Sequence, residues 1–275
     1  MSVAPNSPAP APRHGILAGG NFIVDTIVLI DGYPKEEMLA NVSDETPCNG
    51  GGPYNVLCDL AALGGDFPLA SIGLVGDDDN GRWILEDCAK HGIATDRMHS
   101  TPDAPTSHTY VMTDQASGRR TFFHHRGANG LLDVGHFDFT PASAKIFYLG
   151  YLMLLDRLDT VDDTGRTGAS RVLQAATEAG LITAVDLVSV SHPDFAEIVS
   201  SSLTWIDHLI INEVEAGRLI GQPIDAADPN ELGEAAAKIL ALGVREAVII
   251  HTPSGAVAAS RSEGTQALGS VKLPP

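Results

Sequence analysis

The chain has 275 residues, 44% hydrophobic and 19% charged, which suits one large globular domain and excludes a mainly disordered chain. Its 17 Lys and Arg stand against 35 Asp and Glu, a formal net charge of -18. A field of that sign repels phosphate backbones and anionic lipid, so neither nucleic acid nor a membrane is expected as a partner.

Residues 1–13, MSVAPNSPAPAPR, are rich in Pro and Ala, lack the apolar stretch of a secretory signal and read as a flexible tail. From residue 15 onward, short β-branched runs alternate with segments of helical period. Runs 15–18 and 22–30 predict strands, 53–63 a helix, 67–74 a strand and 81–90 a helix. The texture then changes: 108–113 and 120–124 are strand-like, and Ser117-Gly118 between them signals the turn of a hairpin. Alternation resumes with strands at 145–149, 181–187, 208–211 and 247–250, and with helices at 168–179, 194–202, 212–220 and 229–242. Ala247-Val248-Ile249-Ile250 suits a strand covered on both faces, hence a parallel sheet with crossover helices. The hairpin and part of the segment after Ile30 fall outside that pattern and read as a small β appendage. Cys48, Cys58 and Cys88 lack C-x-x-C spacing, which points to neither a disulfide framework nor a zinc site and suits the reducing cytoplasm.

Asn49-Gly50-Gly51-Gly52-Pro53-Tyr54-Asn55 runs straight into a predicted helix. Glycines let backbone approach a ligand, Pro53 suits a first helical turn, and the free N–H groups there can take an anion or polarised hydroxyls; a flexible turn explains the same residues. A dinucleotide fingerprint is excluded because Asn55 stands where the third Gly belongs, so a dinucleotide-dependent oxidoreductase is disfavoured. A P-loop is excluded because Arg82-Trp83 follows the Gly76 to Gly81 spacing. Asn212 and Glu215 fit a capping box, whose two side chains satisfy orphan N–H groups at a helix start. Asp77-Asp78-Asp79 reads as a solvated turn at a helix start, and His124 and His125 point to opposite faces of a strand, unable to chelate one metal.

Several motifs appear in the order of one family. Asp25 lies five residues beyond Gly20; Gly50-Gly51-Gly52-Pro53-Tyr54-Asn55 leads to Ala61-Ala62-Leu63-Gly64 and then to Gly73-Leu74-Val75-Gly76-Asp77-Asp78-Asp79-Asn80-Gly81. Gly127-Ala128-Asn129, Ala184-Val185-Asp186 and Asn212-Glu213-Val214-Glu215 follow. In these the chain resembles the ribokinase-like (PfkB-type) carbohydrate kinases. The resemblance implies a Rossmann-like α/β domain over 14–275, a mostly parallel sheet flanked by helices, with a small β-sheet lid from about 31–48 and 104–126. It implies ATP-dependent phosphorylation of a hydroxyl on a sugar or sugar-like small molecule, with ATP, Mg2+ and a monovalent cation as cofactors and a homodimer formed through the lid. Asp25 matches the carboxylate that holds substrate hydroxyls, and Gly50, Gly51 and Asn55 match the turn that holds the sugar. Ile23 stands where some ribose-specific members carry Asn, which disfavours ribose. Asn212 and Glu215 match the N-x-x-E motif, Glu215 holding magnesium through water and both organising the transferring phosphate. Arg119, Arg120 and Arg126 would face a phosphorylated sugar from the lid, or guard a strand edge against aggregation.

The family's C-terminal G-A-G-D segment, whose Asp is the base, does not occur here. Asp163-Thr164-Gly165-Arg166-Thr167-Gly168 resembles it but precedes the N-x-x-E strand, and no Asp follows Gly168. The expectation is a chain truncated before its catalytic base and inactive by itself, with the catalytic residue unknown. The alternatives are a non-catalytic sugar- or nucleoside-binding relative and a nucleoside kinase of the same fold. In the nucleotide loop Thr252-Pro253-Ser254-Gly255 retains only the last Gly of the family's T-x-G-x-x-G.

Overall fold

The computed structural model describes residues 13–140 and 143–271, so the tail expected over 1–13 lies outside the described residues except for Arg13. The alternating apolar runs build a nine-stranded sheet. Its strands are β1 (Ile16–Gly20), β4 (Leu69–Gly76), β5 (Ala94–Thr101), β8 (Ile146–Leu152), β9 (Ile182–Leu187), β10 (His208–Asn212), β11 (Ala247–Thr252), β12 (Gly255–Ser260) and β13 (Gly264–Gly269), in the order β13-β12-β11-β10-β9-β8-β1-β4-β5. Pairing is parallel from β5 through β11 and antiparallel only for β12 and β13.

Alternate residues of these strands enter two cores, one per sheet face. Leu17, Phe147 and Leu149 join the cluster completed by α4 (Gly168–Glu178), α5 (Phe195–Ser200), α6 (Glu213–Ile220) and α7 (Pro229–Ala241). Ala18 and Tyr148 face the other way, toward Leu57 of α1 (Gly52–Ala62) and Ile84 and Cys88 of α2 (Asp79–Lys90). Burial on both faces is what the continuous apolar runs demanded. Asp78 caps α2 by accepting from the Gly81 N–H (2.8 Å), and it also takes the Thr106 N–H (2.8 Å), so the acidic turn fastens a helix start to the strand that follows Thr106.

A second sheet holds β2 (Ile23–Ile30), β3 (Val42–Gly50), β6 (His108–Asp114) and β7 (Arg120–His125) in the order β3-β2-β6-β7. The expected hairpin is β6–β7. β2 pairs antiparallel with β3 and parallel with β6, so this sheet takes in residues 23–30 as well as the later segments. The two N-terminal strands therefore belong to different sheets, joined only by Asn21 and Phe22.

Four strands carried no readable pattern. β3 is an exposed edge strand with Pro47 and scattered charges, and β5 is mostly polar. β12 and β13 are rich in Gly and Ala, and β13 is exposed along its length. Ladder pairing, not side-chain alternation, makes these segments strands. A short α3 (Asp156–Asp159) follows β8. Among the described residues no helix is long and apolar enough to cross a membrane, and the three thiols are free.

The chain runs from β1 outward through β4 and β5, then returns to β8 and runs the other way. The order of the sheet thus reverses between β1 and β8, and in open α/β sheets ligands bind at the carboxyl ends of strands beside such a point.

Candidate active site

Asn21 sits at that reversal, fully buried. Its Oδ1 accepts the Tyr151 N–H at 2.5 Å and its Nδ2 donates to the Leu154 carbonyl at 3.2 Å, so one side chain fixes the segment that ends β8. Its own carbonyl touches Gly51, where a Cβ would come within 2.0 Å of the oxygen and where φ is 94°, so only glycine fits the turn.

Asp25 projects from β2 with its carboxylate against Gly50, where any Cβ would meet Oδ2. Burial raises its pKa, and the Thr109 hydroxyl facing it pulls the value back down. Thr109 in turn meets His124 Nδ1 at 3.0 Å, while His125 on the opposite face stacks on His108 with ring centroids 4.8 Å apart. The two histidines part company as the strand period requires.

Asn55, in the first turn of α1, meets the Tyr151 hydroxyl. Gly52 lies against the Tyr151 ring and the Tyr148 hydroxyl. Burial pushes the Tyr151 phenol up to about 12, with the charges of Asp186, Asp25 and Glu215 adding to it. One hydroxyl thus lies within electrostatic reach of Asp25, Asp186 and Glu215. Gly50 meets Asp25, Asn55 meets Tyr151, and Tyr151 feels the charges of both Asp25 and Glu215, to which Asn212 is bound.

Asn212 caps α6 and closes a reciprocal box. Its Oδ1 accepts the Glu215 N–H at 2.9 Å, and Glu215 Oε2 accepts the Asn212 N–H at 2.9 Å. Glu215 is 2% exposed, and its Oε1 also takes the Ser189 hydroxyl (2.7 Å) and the Asn212 Nδ2 (2.9 Å). The cap is therefore the device that holds the carboxylate still. Asp186, at the end of β9, accepts the Tyr148 hydroxyl at 3.2 Å; burial and the nearby Glu215 push it up to about 7. Both Glu215 oxygens already carry protein donors, so this pair of carboxylates suits a hydrated cation held through water and not one chelated directly. Among the described residues no group of three or more His, Cys, Asp or Glu is placed to hold a metal by itself.

The basic residues of the hairpin do not act as one patch. Arg126 pairs with Asp156 at 2.8 Å and reaches the Met153 carbonyl, and the Arg120 guanidinium lies 5.9 Å from the Phe122 ring centroid. The Thr252–Gly255 turn, the segment expected to be the nucleotide loop, joins β11 to β12 beside a cavity of about 290 Å³ lined by Pro229, Leu232, Val257 and Leu268.

Sequence reasoning missed Asn21, Thr109, His124, Tyr148 and Tyr151. Gly20-Asn21 and Gly150-Tyr151 are matching Gly-polar steps on β1 and β8, with Gly20 and Gly150 in register, and that repeated step is the signal that could have found Asn21 and Tyr151.

The profile of the pfkB family carbohydrate kinase matches residues 18–272. "Probable fructokinase-6, chloroplastic" of Arabidopsis thaliana is 27% identical over 173 residues, 62% of this chain and 42% of that protein. The ribokinase of Schizosaccharomyces pombe is 26% identical over 225 residues, 80% of this chain and 65% of that protein. The chain spans about half the length of the curated relatives it matches. The solved structure of Arabidopsis thaliana ribokinase complexed with ribose and ATP shares the fold with a TM-score of 0.72 at 24% identity, over 94% of this chain and 78% of that one.

Proposed function

Because the chain belongs to the pfkB family of carbohydrate kinases, we propose that it serves ATP-dependent phosphorylation of a hydroxyl on a sugar or sugar-like small molecule. The observation that supports this most is the meeting of Asp25 with the bare backbone of Gly50, beside the Tyr151 phenol that feels the charges of Asp25, Asp186 and Glu215. Ionised Asp25 accepts from two neighbouring hydroxyls, which positions the sugar and raises the electron density on the oxygen that attacks. Bare backbone at Gly50 and Gly51 lets the sugar ring lie close to the turn. Asn55 orients the Tyr151 phenol toward it.

Magnesium bound with the nucleotide would supply screening of the phosphate charge. Glu215, Asp186 and Asn212 are the residues that would hold its water shell, and α6 turns its positive N-terminal end to the same place. The cavity beside the Thr252–Gly255 turn, with apolar walls from Leu232 and Leu268, suits the nucleotide base. The small sheet acts as a lid that excludes water from the transfer. Its exposed Tyr110, Phe122 and Phe123 suit pairing with the lid of a second copy, and the three free thiols suit a cytoplasmic enzyme.

The attacking hydroxyl must also lose a proton, and that base is not among the residues gathered here. Asp25 holds hydroxyls, Glu215 is locked in its cap, and no G-A-G-D stretch occurs in the sequence. These 275 residues therefore bind acceptor and turn it over poorly.

Calorimetric titration with D-fructose and D-ribose, paired with an ADP-release assay, tests the reading. Saturable binding of a sugar, abolished by Asp25→Asn, is the expected result. Equal sugar binding by the Asp25→Asn variant, or none by the unmutated chain, overturns it.

A further inference from the structure

At one register across the small sheet, Cys48, Asp25, Thr109 and His124 stand side by side, one from each strand. Directly opposed residues share a face and lie within contact range, so this row runs unbroken from β3 to β7. Thr109 is buried between its two neighbours: its hydroxyl faces Asp25 on one side and meets His124 Nδ1 at 3.0 Å on the other.

The proton count of this row is constrained. A threonine hydroxyl has one hydrogen, and an ionised carboxylate can only accept. With the Thr109 hydrogen directed to Asp25, Thr109 Oγ1 must accept from His124, which puts the imidazole hydrogen on Nδ1 and leaves Nε2 bare. His124 Nε2 is buried without a hydrogen-bond partner. A bare ring nitrogen tolerates that setting far better than a charged N–H would, because an unpartnered buried charge carries the larger desolvation penalty. Burial accordingly pushes His124 down to about 4, with Arg126, His108 and His125 acting in the same direction. Around Asp25 the other titratable neighbours are the Cys48 thiol from β3 and the Tyr151 phenol from the end of β8. Both are raised and stay neutral near pH 7, so neither opposes the carboxylate's charge. Thr109 is the neighbour that favours the ionised form of Asp25.

We infer that Thr109 and His124 are positioning residues for Asp25: a neutral His124, carrying its hydrogen on Nδ1, aims the Thr109 hydroxyl so that Asp25 stays ionised and correctly turned toward the acceptor. This deepens the reading above and rests on Asp25 being the acceptor-binding carboxylate. Neither residue touches the substrate. They act through the carboxylate, from the strand pair of the lid.

The first test needs no variant and no ligand. Nitrogen NMR of the labelled, full 275-residue chain at pH 7 should show His124 as the neutral Nδ1–H tautomer; the Nε2–H tautomer, or a charged ring, overturns the inference. A carbon-detected titration of the Asp25 carboxyl should show its midpoint move upward by about one pH unit in Thr109→Val, equivalent to about tenfold in proton affinity. His124→Phe should move it less, in the same direction. Thr109→Ser keeps the hydroxyl, and His124→Asn keeps an N–H near the Nδ1 position; both should restore the midpoint, whereas His124→Gln should not. An unmoved midpoint in Thr109→Val overturns the inference, and should that variant fail to fold, the tautomer and the His124 series decide it.

Calorimetry with D-fructose separates the two levels. In Thr109→Val the acid limb of sugar binding should shift to higher pH, while binding well above the midpoint should change less than about twofold. If Asp25→Asn leaves fructose binding intact, the acceptor reading fails while the tautomer still decides the row. If Asp25→Asn abolishes binding but Thr109→Val alters neither titration nor affinity, the row is structural only and the acceptor reading stands.

Discussion

The carboxylate of Asp25 rests on the backbone of Gly50: a Cβ at residue 50 would come within 2.3 Å of Asp25 Oδ2. No real pair of atoms tolerates that separation, so a side chain at residue 50 must turn the carboxylate out of its seat. Gly50→Ala is expected to weaken sugar binding at least about tenfold, or about 1.4 kcal/mol, read by calorimetric titration. An unchanged Kd would show that the acceptor is held elsewhere.

Asn21 supplies both an acceptor and a donor to one buried segment. Asn21→Ala strands the Tyr151 N–H and the Leu154 carbonyl, each costing about 1–3 kcal/mol when left unpaired. Urea unfolding should show a loss of about 2–4 kcal/mol, with weaker sugar binding because Tyr151 is no longer held. A loss below about 0.5 kcal/mol would mean that water replaces the side chain without cost.

Glu215 closes the cap of α6 and is proposed to hold the water shell of magnesium, and two substitutions divide these roles. Gln also closes a capping box with the Asn212 N–H, although its NH2 then faces the Asn212 Nδ2 donor, so Glu215→Gln should cost about 1 kcal/mol while removing the negative charge. Glu215→Ala should cost about 1–3 kcal/mol, since the Asn212 N–H and the Ser189 hydroxyl lose their acceptor. Titrating ATP binding against magnesium should show the same weakening in both variants; a magnesium dependence unaltered by Glu215→Gln counts against the cation role.

Asp159 provides a pH signature. It is almost fully buried and accepts the Met153 N–H (3.0 Å) and the Leu155 N–H (2.7 Å), yet burial raises its pKa from 3.8 to about 6. The folded chain therefore holds this proton more tightly than the unfolded chain, and stability falls as pH rises between those two values, then levels off. The loss is of the order of 3 kcal/mol. Denaturation curves at pH 4 and pH 7 should show this slope reduced in Asp159→Asn, and an identical slope in the variant would assign the pH dependence to other carboxylates.

The parts of the fold that could be read in advance are those where side chains report burial. Ala247-Val248-Ile249-Ile250 announces a covered strand, and Asn212 with Glu215 announces a helix start, because composition and position there follow from local physics. β3 and β5 could not be read, since polar residues on partly exposed strands carry no period and only the neighbouring strand defines them. Asp25, the glycine turn and Glu215, residues of the proposed site, could be singled out through motif order. Asn21, Thr109, His124 and Tyr151 were not: each matters through a cross-strand or distant partner that only the fold supplies, as with Asn21 and Tyr151, 130 residues apart. The strand run at 22–30 shows the same limit, because its period gives a strand but not the sheet it joins.

Only Asn21 and Phe22 separate the last residue of β1, in the large sheet, from the first residue of β2, in the small one. Asp25 therefore travels with the small sheet, whereas Tyr151, Asp186 and Glu215 are rooted in the large one. A sugar gripped by both works as a strut across a two-residue joint, so occupancy should stiffen the whole molecule and slow amide exchange at Asn21 and Phe22 before any nucleotide arrives.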